Sequence, residues 1–426
     1  MNDFDCIVLG NEPAGLWLLK EFSHRAKSNP KSKLAKSIVG SIKLAWLQVG
    51  PPIAPIAVPT PVARAYRIGD PSTLQTEFSA EFVTPKRVFT WDADHITRYV
   101  PEISSDFSSL FLKSLNFPSH RESSSLRAAL TAHPELLDVG KALWKKVGRG
   151  VDLTGEMLLW NALLCHRFVL WDAQHPLKNE NNIEVSALSG TEEISNVSPN
   201  SDGRISIEFK SGLKFRAKTL ILNSSVRILS RLCRSTPQLL EWSHSPQETL
   251  SGSVHYPLRM SLAPEVLPLS LSPLTFALKS DLLPEPDSEI WQLDFIRNTS
   301  IENSQVKLWV TDRYDFSLES LLEKFRIGLS HFYKVFPKAI KEISHYSFPL
   351  NMDTCYSESQ RNHHLVELES EGIESYRLTR GMVSSEQRSL FTLMPYLNCS
   401  YPYPLGTLMA AESLLRELFG KNLESR

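Results

Sequence analysis

The sequence predicts an α/β fold in which a parallel-sheet domain is interleaved along the chain with a second, α+β lobe. Three observations lead to this prediction. A short apolar run over 5–9 meets Gly10 and then a helical pattern, which is how a βαβ unit begins. A buried parallel strand is predicted at 217–223, and a terminal helix at 406–419. Because 426 residues are many for one hydrophobic core, two lobes are expected.

The composition is that of an ordinary globular chain without a dominant charge. Hydrophobic residues make up 42% of the sequence, charged residues 22%, and the formal net charge is −1. This balance gives no overall attraction to nucleic acid or to an anionic membrane. Five scattered cysteines without CxxC spacing predict no zinc site and favour a reduced, intracellular protein.

Two further features concern the compartment. Asp3 and Asp5 stand where a secretory signal would carry basic residues. The longest uncharged stretch, 44–63, contains five prolines and so does not form a membrane-spanning helix. We therefore expect a cytoplasmic protein without a transmembrane segment.

The turn after the first predicted strand holds the most informative motif of the chain. Gly10 and Gly15 take the outer glycine positions of a dinucleotide fingerprint, where they allow a tight turn and close helix–strand packing. The central position, where backbone approaches a pyrophosphate, is Glu12, and Pro13 and Ala14 follow it. A side chain there fills the space that a phosphate needs, and a carboxylate repels the phosphate charge. The motif thus predicts a Rossmann-like turn and argues against its usual ligand.

The two predicted lobes are discontinuous in sequence. The Rossmann-like domain is assigned to 1–69, 180–235 and 375–426, and a substrate-type lobe to 70–179 and 236–374. In the first domain, helices are predicted at 13–22 and 406–419, and strands at 42–49, 183–185, 192–197, 204–210, 217–223 and 389–393. In the second, helices are predicted near 124–132, 136–147, 154–169 and 318–332.

Three segments together resemble FAD-dependent oxidoreductases of the amine oxidase and phytoene desaturase type. The opening strand, turn and helix resemble that family's dinucleotide fingerprint, and 193–232 is similar to its middle section. The final segment, which begins with Pro404, Gly406 and Thr407, resembles the C-terminal flavin motif. In that motif the last helix points its N-terminus at the isoalloxazine ring. The resemblance implies an FAD/NAD(P)-binding domain and FAD as the cofactor, held by these residues and by the Gly10–Gly15 turn.

Four cofactor positions differ from the family pattern. Glu12 replaces the central glycine, and Gln48 replaces the acidic residue that contacts the ribose. Pro51-Pro52 stand where the family has an arginine and paired glycines, and Met394-Pro395 stand where it has a glycine–aspartate pair. Gln48 lacks the charge-assisted hydrogen bond of a carboxylate. Each lost contact costs about 1–3 kcal/mol, and about 1.4 kcal/mol is a tenfold change in affinity. Several such losses leave little FAD bound.

Two functions stay open at this stage. The first is a flavoprotein-like pseudoenzyme with an eroded FAD site, which binds a partner or a small molecule without catalysis. The alternative is an active FAD-dependent oxidoreductase that acts on an amine or an apolar substrate, in which the flavin supplies the hydride chemistry. No catalytic residue and no metal site are assigned. The loss of the glycine at Glu12 would be tolerated if the turn shifts and the carboxylate points to solvent. Gly10 and Gly15 alone are also compatible with an unrelated βαβ turn.

A basic segment at 24–43 is a further candidate. It contains only basic charges, at Arg25, Lys27, Lys31, Lys33, Lys36 and Lys43. We predict an inserted surface loop that either docks a protein or small-molecule partner or is only a solvated loop. Aromatic residues do not alternate with these charges, so nucleic-acid binding is not predicted.

Overall fold

A computed structural model describes most of the predicted sheet-forming segments of the chain. The described residues are 2–28, 42–49, 56–68, 77–83, 88–91, 165–171, 183–189, 192–224, 232–236, 253–262, 274–277, 291–296, 304–313, 343–347, 376–377, 390–392 and 404–419, with isolated positions between them. They divide into two compact units. The first comprises Met1–Ile56, Trp171–Leu250 and Gln360–Arg426, and the second Ala57–Leu170 and Ser251–Ser359. The assignment of cofactor and substrate roles to two lobes stays a prediction.

The described elements are mainly strands. In chain order they are β1 (Asn2–Gly10), α1 (Pro13–Ser28), β2 (Leu44–Val49), β3 (Ile56–Pro59), α2 (Thr60–Ala65), β4 (Ala80–Val83), β5 (Val88–Trp91), β6 (Phe168–Trp171), β7 (Ile183–Leu188), β8 (Ile194–Pro199), β9 (Ile205–Phe209), β10 (Lys214–Asn223), β11 (Ser253–Leu262), β12 (Leu274–Ala277), β13 (Trp291–Ile296), β14 (Ser304–Arg313), β15 (Ile343–Ser347), β16 (Tyr376–Arg377), β17 (Leu390–Thr392) and α3 (Leu405–Phe419).

The first unit is built on an eight-stranded sheet in which the order is β16-β17-β10-β1-β2-β7, with β9 paired to β10 and β8 paired to β9. Strands β17, β10, β1, β2 and β7 run parallel to their neighbours in this order. Their central residues are buried and almost entirely apolar, as at 6–9, 44–47 and 220–222. Such continuous apolar runs are typical of parallel strands covered on both faces. The predicted α/β fold with a parallel sheet is therefore present in this unit.

Helices α1 and α3 pack against each other in the first unit. The rings of Phe22 and Phe419 meet edge-to-face, with centroids 5.1 Å apart. Arg25 on α1 lies 3.8 Å from the Glu21 carboxylate and 3.9 Å from that of Glu412 on α3. The prediction that a surface loop begins at residue 24 is wrong, because α1 continues to Ser28. The rest of the basic segment lies outside the described residues up to residue 41.

The second unit contains a seven-stranded sheet in the order β15-β11-β14-β13-β12-β4-β5, and β3 pairs with β6 in a separate two-stranded sheet. The predicted helix at 154–169 is wrong at its end, where Cys165 lies in a turn and Phe168 begins β6. Phe168 exchanges two backbone hydrogen bonds with Phe78, at 2.8 and 3.0 Å, and the two rings stack. An apolar run of this length does not distinguish a buried helix from a strand. Most of the other predicted helical positions of this lobe lie outside the described residues.

Candidate functional site

The carboxyl ends of the parallel strands in the first unit lie at one edge of the sheet, here called the carboxyl edge. Gly10 at the end of β1 pairs with Asn223 at the end of β10, and Leu222 pairs with Thr392 of β17. On the other side, Leu9 pairs with Leu47 of β2. The beginning, middle and end of the chain therefore meet in one sheet. In open α/β sheets this edge is where ligands bind.

The two glycines of the turn are required by close contacts with β10. Gly10 has a φ of +142°, and a Cβ built on it would lie 1.9 Å from the main-chain oxygen of Asn223. A Cβ on Gly15 would lie 2.5 Å from the Asn223 Oδ1 atom and 2.7 Å from Cγ1 of Val8. Both positions exclude a side chain, so the glycines serve the turn and the close packing of α1 on the sheet. Whether they also contact a cofactor stays a prediction.

Asn223 organises the turn and was not among the residues singled out from the sequence. Its main-chain oxygen accepts a hydrogen bond from the Glu12 N–H at 3.3 Å. Its side-chain Oδ1 accepts one from the Gly15 N–H at 3.0 Å, and the residue is fully buried. The available signal was a polar residue directly after the apolar run at 220–222. The partner, 208 positions away, is not visible in local sequence.

Two further hydrogen bonds hold the same turn. The Trp46 Nε1–H of β2 donates to the Gly10 carbonyl at 2.8 Å, and this contact is buried. The Ser224 hydroxyl donates to the Asn11 Oδ1 at 2.8 Å. The turn is therefore fixed by side chains from both strands that flank β1.

Glu12 is buried within this arrangement, with only 4% of its surface exposed. The expectation that its carboxylate could point to solvent is wrong. Glu12 therefore lies inside the protein at the central fingerprint position, directly before the first residue of α1.

The remaining predicted site residues lie on three elements. Pro13 and Ala14 are the first two residues of α1 and are buried, and Gln48 is half-buried on β2 opposite Ala187. Pro404 precedes α3, Gly406 is its second residue, and the Thr407 hydroxyl donates to the Pro404 carbonyl at 2.8 Å. Among the described residues, no hydrogen bond joins Gln48 or Thr407 to the Gly10–Gly15 turn. Pro51, Pro52, Met394 and Pro395 lie outside the described residues.

The donor set of the turn decides whether FAD fits it. A diphosphate at a helix N-terminus needs backbone N–H groups that point at it. Pro13 has no N–H, and the N–H groups of Glu12 and Gly15 already donate to Asn223. The buried carboxylate of Glu12 adds a charge of the same sign as the phosphates. In this arrangement the residues of the turn do not fit a diphosphate.

Two buried cysteine thiols are not suited to act as nucleophiles. Burial raises the pKa of the Cys6 thiol on β1 and of the Cys165 thiol in the second unit, so both thiols stay protonated and unreactive. Within the described residues, no group of His, Cys, Asp and Glu side chains could hold a metal ion. In the same part of the chain, no helix combines the length and apolar character needed to cross a membrane.

Comparison with known proteins supports the fold. An oxidoreductase from Methanosarcina mazei superposes with a TM-score of 0.54 at 12% identity, over 97% of this chain and 100% of that one. Putrescine oxidase bound to putrescine gives 0.49 at 11% identity, over 98% and 99% of the two chains. NikD, an unusual amino acid oxidase essential for nikkomycin biosynthesis, gives 0.44 at 11% identity, over 100% and 96%. No protein-family model and no curated protein matches the sequence.

These likenesses differ in what they establish. Two of the three TM-scores lie below 0.5, so the assignment rests on the M. mazei oxidoreductase. At 12% identity the likeness concerns the fold alone. The sheets, the helices and this neighbour fit the α/β fold that the sequence predicts.

Proposed function

We propose that this chain is a flavoprotein oxidoreductase-like protein with an eroded FAD site, which acts by binding a partner or a small molecule and not by catalysis. The observation that carries the proposal is the buried Glu12 carboxylate at the position where a diphosphate would need open backbone. A side chain at this position competes with the ligand for volume as well as for charge.

The expected penalty for FAD is large. The side chain of Glu12 takes the place of the glycine beside which a diphosphate would lie, and a carboxylate has the same sign of charge as the phosphates. The missing carboxylate at Gln48 removes a further contact to the ribose. Together these effects favour a protein that is purified without flavin.

Flavin content tests the proposal directly. The protein is purified, its absorbance near 450 nm is recorded, and the flavin released by denaturation is quantified. We expect a colourless protein that stays folded without added FAD. A protein with one FAD per chain contradicts the proposal.

Two variants separate the charge of Glu12 from its volume. Glu12→Gln removes the charge and keeps the size, whereas Glu12→Gly removes both. If repulsion dominates, Glu12→Gln alone raises FAD affinity, and if volume dominates, only Glu12→Gly does. Glu184→Gln, at an exposed glutamate on β7 of the same unit, is the matched control and should change nothing. Equal effects of Glu12→Gln and Glu184→Gln exclude repulsion as the cause.

The second candidate is an active FAD-dependent oxidoreductase that acts on an amine or an apolar substrate. It is favoured by the fold shared with an oxidoreductase over 97% of this chain. This candidate predicts a yellow protein whose absorbance near 450 nm bleaches when substrate is added without oxygen. The absence of bound flavin after reconstitution with FAD excludes it.

The basic segment supports a proposal about the partner. Arg25 is only 13% exposed and is engaged with Glu21 and Glu412, so a docking surface would use the lysines that follow it. We propose that the segment binds an acidic partner. Reversal of Lys31, Lys33 and Lys36 to Glu should abolish binding to poly-glutamate. If binding is unchanged, the segment is only a solvated loop.

A further inference from the structure

We propose that Asn223 is a second specificity-determining residue, which closes the Gly10–Gly15 turn to diphosphates independently of Glu12. The proposal rests on the proposed function, because it explains how the eroded site is kept closed. It goes beyond the proposed function because Asn223 lies outside the fingerprint motif and meets the turn only in the folded structure.

The hydrogen bond to Gly15 is the first step of the argument. The N–H groups in the first turn of a helix have no partner within the helix and therefore attract the oxygens of a bound anion. At Gly15 that N–H is shared between two protein acceptors, the Asn223 Oδ1 at 3.0 Å and the Glu12 carbonyl oxygen at 3.1 Å. The side-chain amide oxygen of Asn223 thus competes with a phosphate oxygen for this N–H. Because the amide is neutral, its burial here needs no counter-charge.

The space around the glycines is the second step. The backbone of Asn223 fills the volume beside Gly10, and its side chain fills the volume beside Gly15. The central fingerprint position carries the buried Glu12. The contacts of Asn223 with both glycines therefore hold the turn close to β10 on either side of Glu12.

The anchoring of Asn223 is the third step. The residue is fully buried, and its backbone is held in register with Gly10. Its neighbour Ser224 binds Asn11, and Trp46 binds the Gly10 carbonyl from the other side. The amide therefore does not swing away when a ligand approaches. Removal of Glu12 alone would leave Asn223 in place beside both glycines.

Four proteins test the inference: the wild type, Glu12→Gly, Asn223→Ala and the double variant Glu12→Gly/Asn223→Ala. Each is titrated with FAD, and binding is followed by flavin fluorescence. We expect the double variant to bind FAD at least about tenfold more tightly than Glu12→Gly, with little binding by the wild type. A gain of binding is informative because a purely structural role of Asn223 would lead only to losses.

The outcomes separate the two proposals. If the wild type binds FAD tightly, the proposed function fails. If the wild type does not bind but Glu12→Gly binds as tightly as the double variant, the role of Asn223 fails alone. A double variant that is folded and does not bind FAD also overturns the role of Asn223.

Two further variants guard against loss of folding. Asn223→Ser keeps a polar group but is too short to reach Gly15, and it replaces Asn223→Ala if that protein does not fold. Asn196→Ala, at an exposed asparagine on β8, is the matched control and should leave FAD binding unchanged. Circular dichroism and thermal melting establish folding for every variant.

Discussion

The two edges of the first unit's sheet handle polar groups in opposite ways. At the carboxyl edge, the main-chain N–H groups of Glu12 and Gly15 donate to Asn223, and the Trp46 indole donates to the Gly10 carbonyl, so that the bonded groups are neutral. At the other edge, called the amino edge, Asp3 accepts two hydrogen bonds of 2.7 Å from Arg216, and its side chain is 37% exposed. Water can replace an exposed ion pair but not a buried hydrogen bond. We therefore expect the hydrogen bonds of the carboxyl edge to contribute more to stability than the ion pair of the amino edge.

Replacement of Gly10 should have the largest effect. A Cβ there meets the Asn223 backbone at 1.9 Å, and the backbone has a positive φ. We expect Gly10→Ala to lower the free energy of unfolding by more than about 4 kcal/mol, or to prevent folding. Gly212→Ala is the control, because Gly212 also has a positive φ but has no atom within 4 Å of the added Cβ. It should cost only about 1–2 kcal/mol in urea unfolding. Equal losses would show that the carboxyl edge is not tightly packed.

Removal of the Asn223 side chain should cause the second-largest loss of stability. Asn223→Ala removes one of the two acceptors of the Gly15 N–H and leaves a cavity at a fully buried position, so we expect a loss of about 1–3 kcal/mol. Asn196→Ala, on the exposed surface of β8, should stay within about 0.5 kcal/mol of the wild type. Urea unfolding measures both. A loss at Asn223 no larger than that at Asn196 would remove the contrast between the two edges.

Trp46→Phe should have a somewhat smaller effect. The ring stays buried, but the Gly10 carbonyl loses the indole N–H that now donates to it at 2.8 Å. We expect a loss of about 1 kcal/mol in thermal or urea unfolding. If the variant is as stable as the wild type, this hydrogen bond does not help to fix the turn.

Asp3→Asn should have the smallest effect, and the effect should depend on pH. The hydrogen bond from Arg216 lowers the pKa of the Asp3 carboxyl below its usual range. The carboxylate therefore stabilises the fold above the unfolded-state pKa of about 3.9, and this contribution is lost as the pH falls through the lower folded value. At pH 7 we expect a difference under about 1 kcal/mol, because the pair is exposed.

Urea midpoints of the wild type and Asp3→Asn measure this dependence. The difference between the two proteins should shrink below about pH 4 and also at high salt. A difference that grows on acidification would mean that the amino edge behaves like a buried site.

The sequence predicted the parts of the fold that depend on local pattern. The strand, turn and helix around Gly10 follow from an apolar run, two glycines and a proline at the first helical position. The extension of α1 to Ser28 was missed, because the polar residues after Phe22 resemble a loop, whereas Phe22 packs on α3. The β6 strand was missed because an apolar run fits both a helix and a strand.

The candidate site was predictable only in part, because its contacts join residues that are far apart in the sequence. Glu12 stands out in the sequence because it replaces an expected glycine, but its burial is a property of the folded chain. Asn223 contacts Gly15 across 208 positions of the chain, so its role becomes visible only when the sheet is assembled. Local sequence identifies the altered motif, and the tertiary structure identifies the residue that fills it.

The most direct test of the account compares FAD titrations of the wild type and of Glu12→Gly/Asn223→Ala under the same conditions. The account predicts that the wild type binds almost no FAD and that the double variant binds it in a saturable, one-to-one manner. A wild-type protein that binds one FAD per chain, with Glu12 and Asn223 in place, would contradict it.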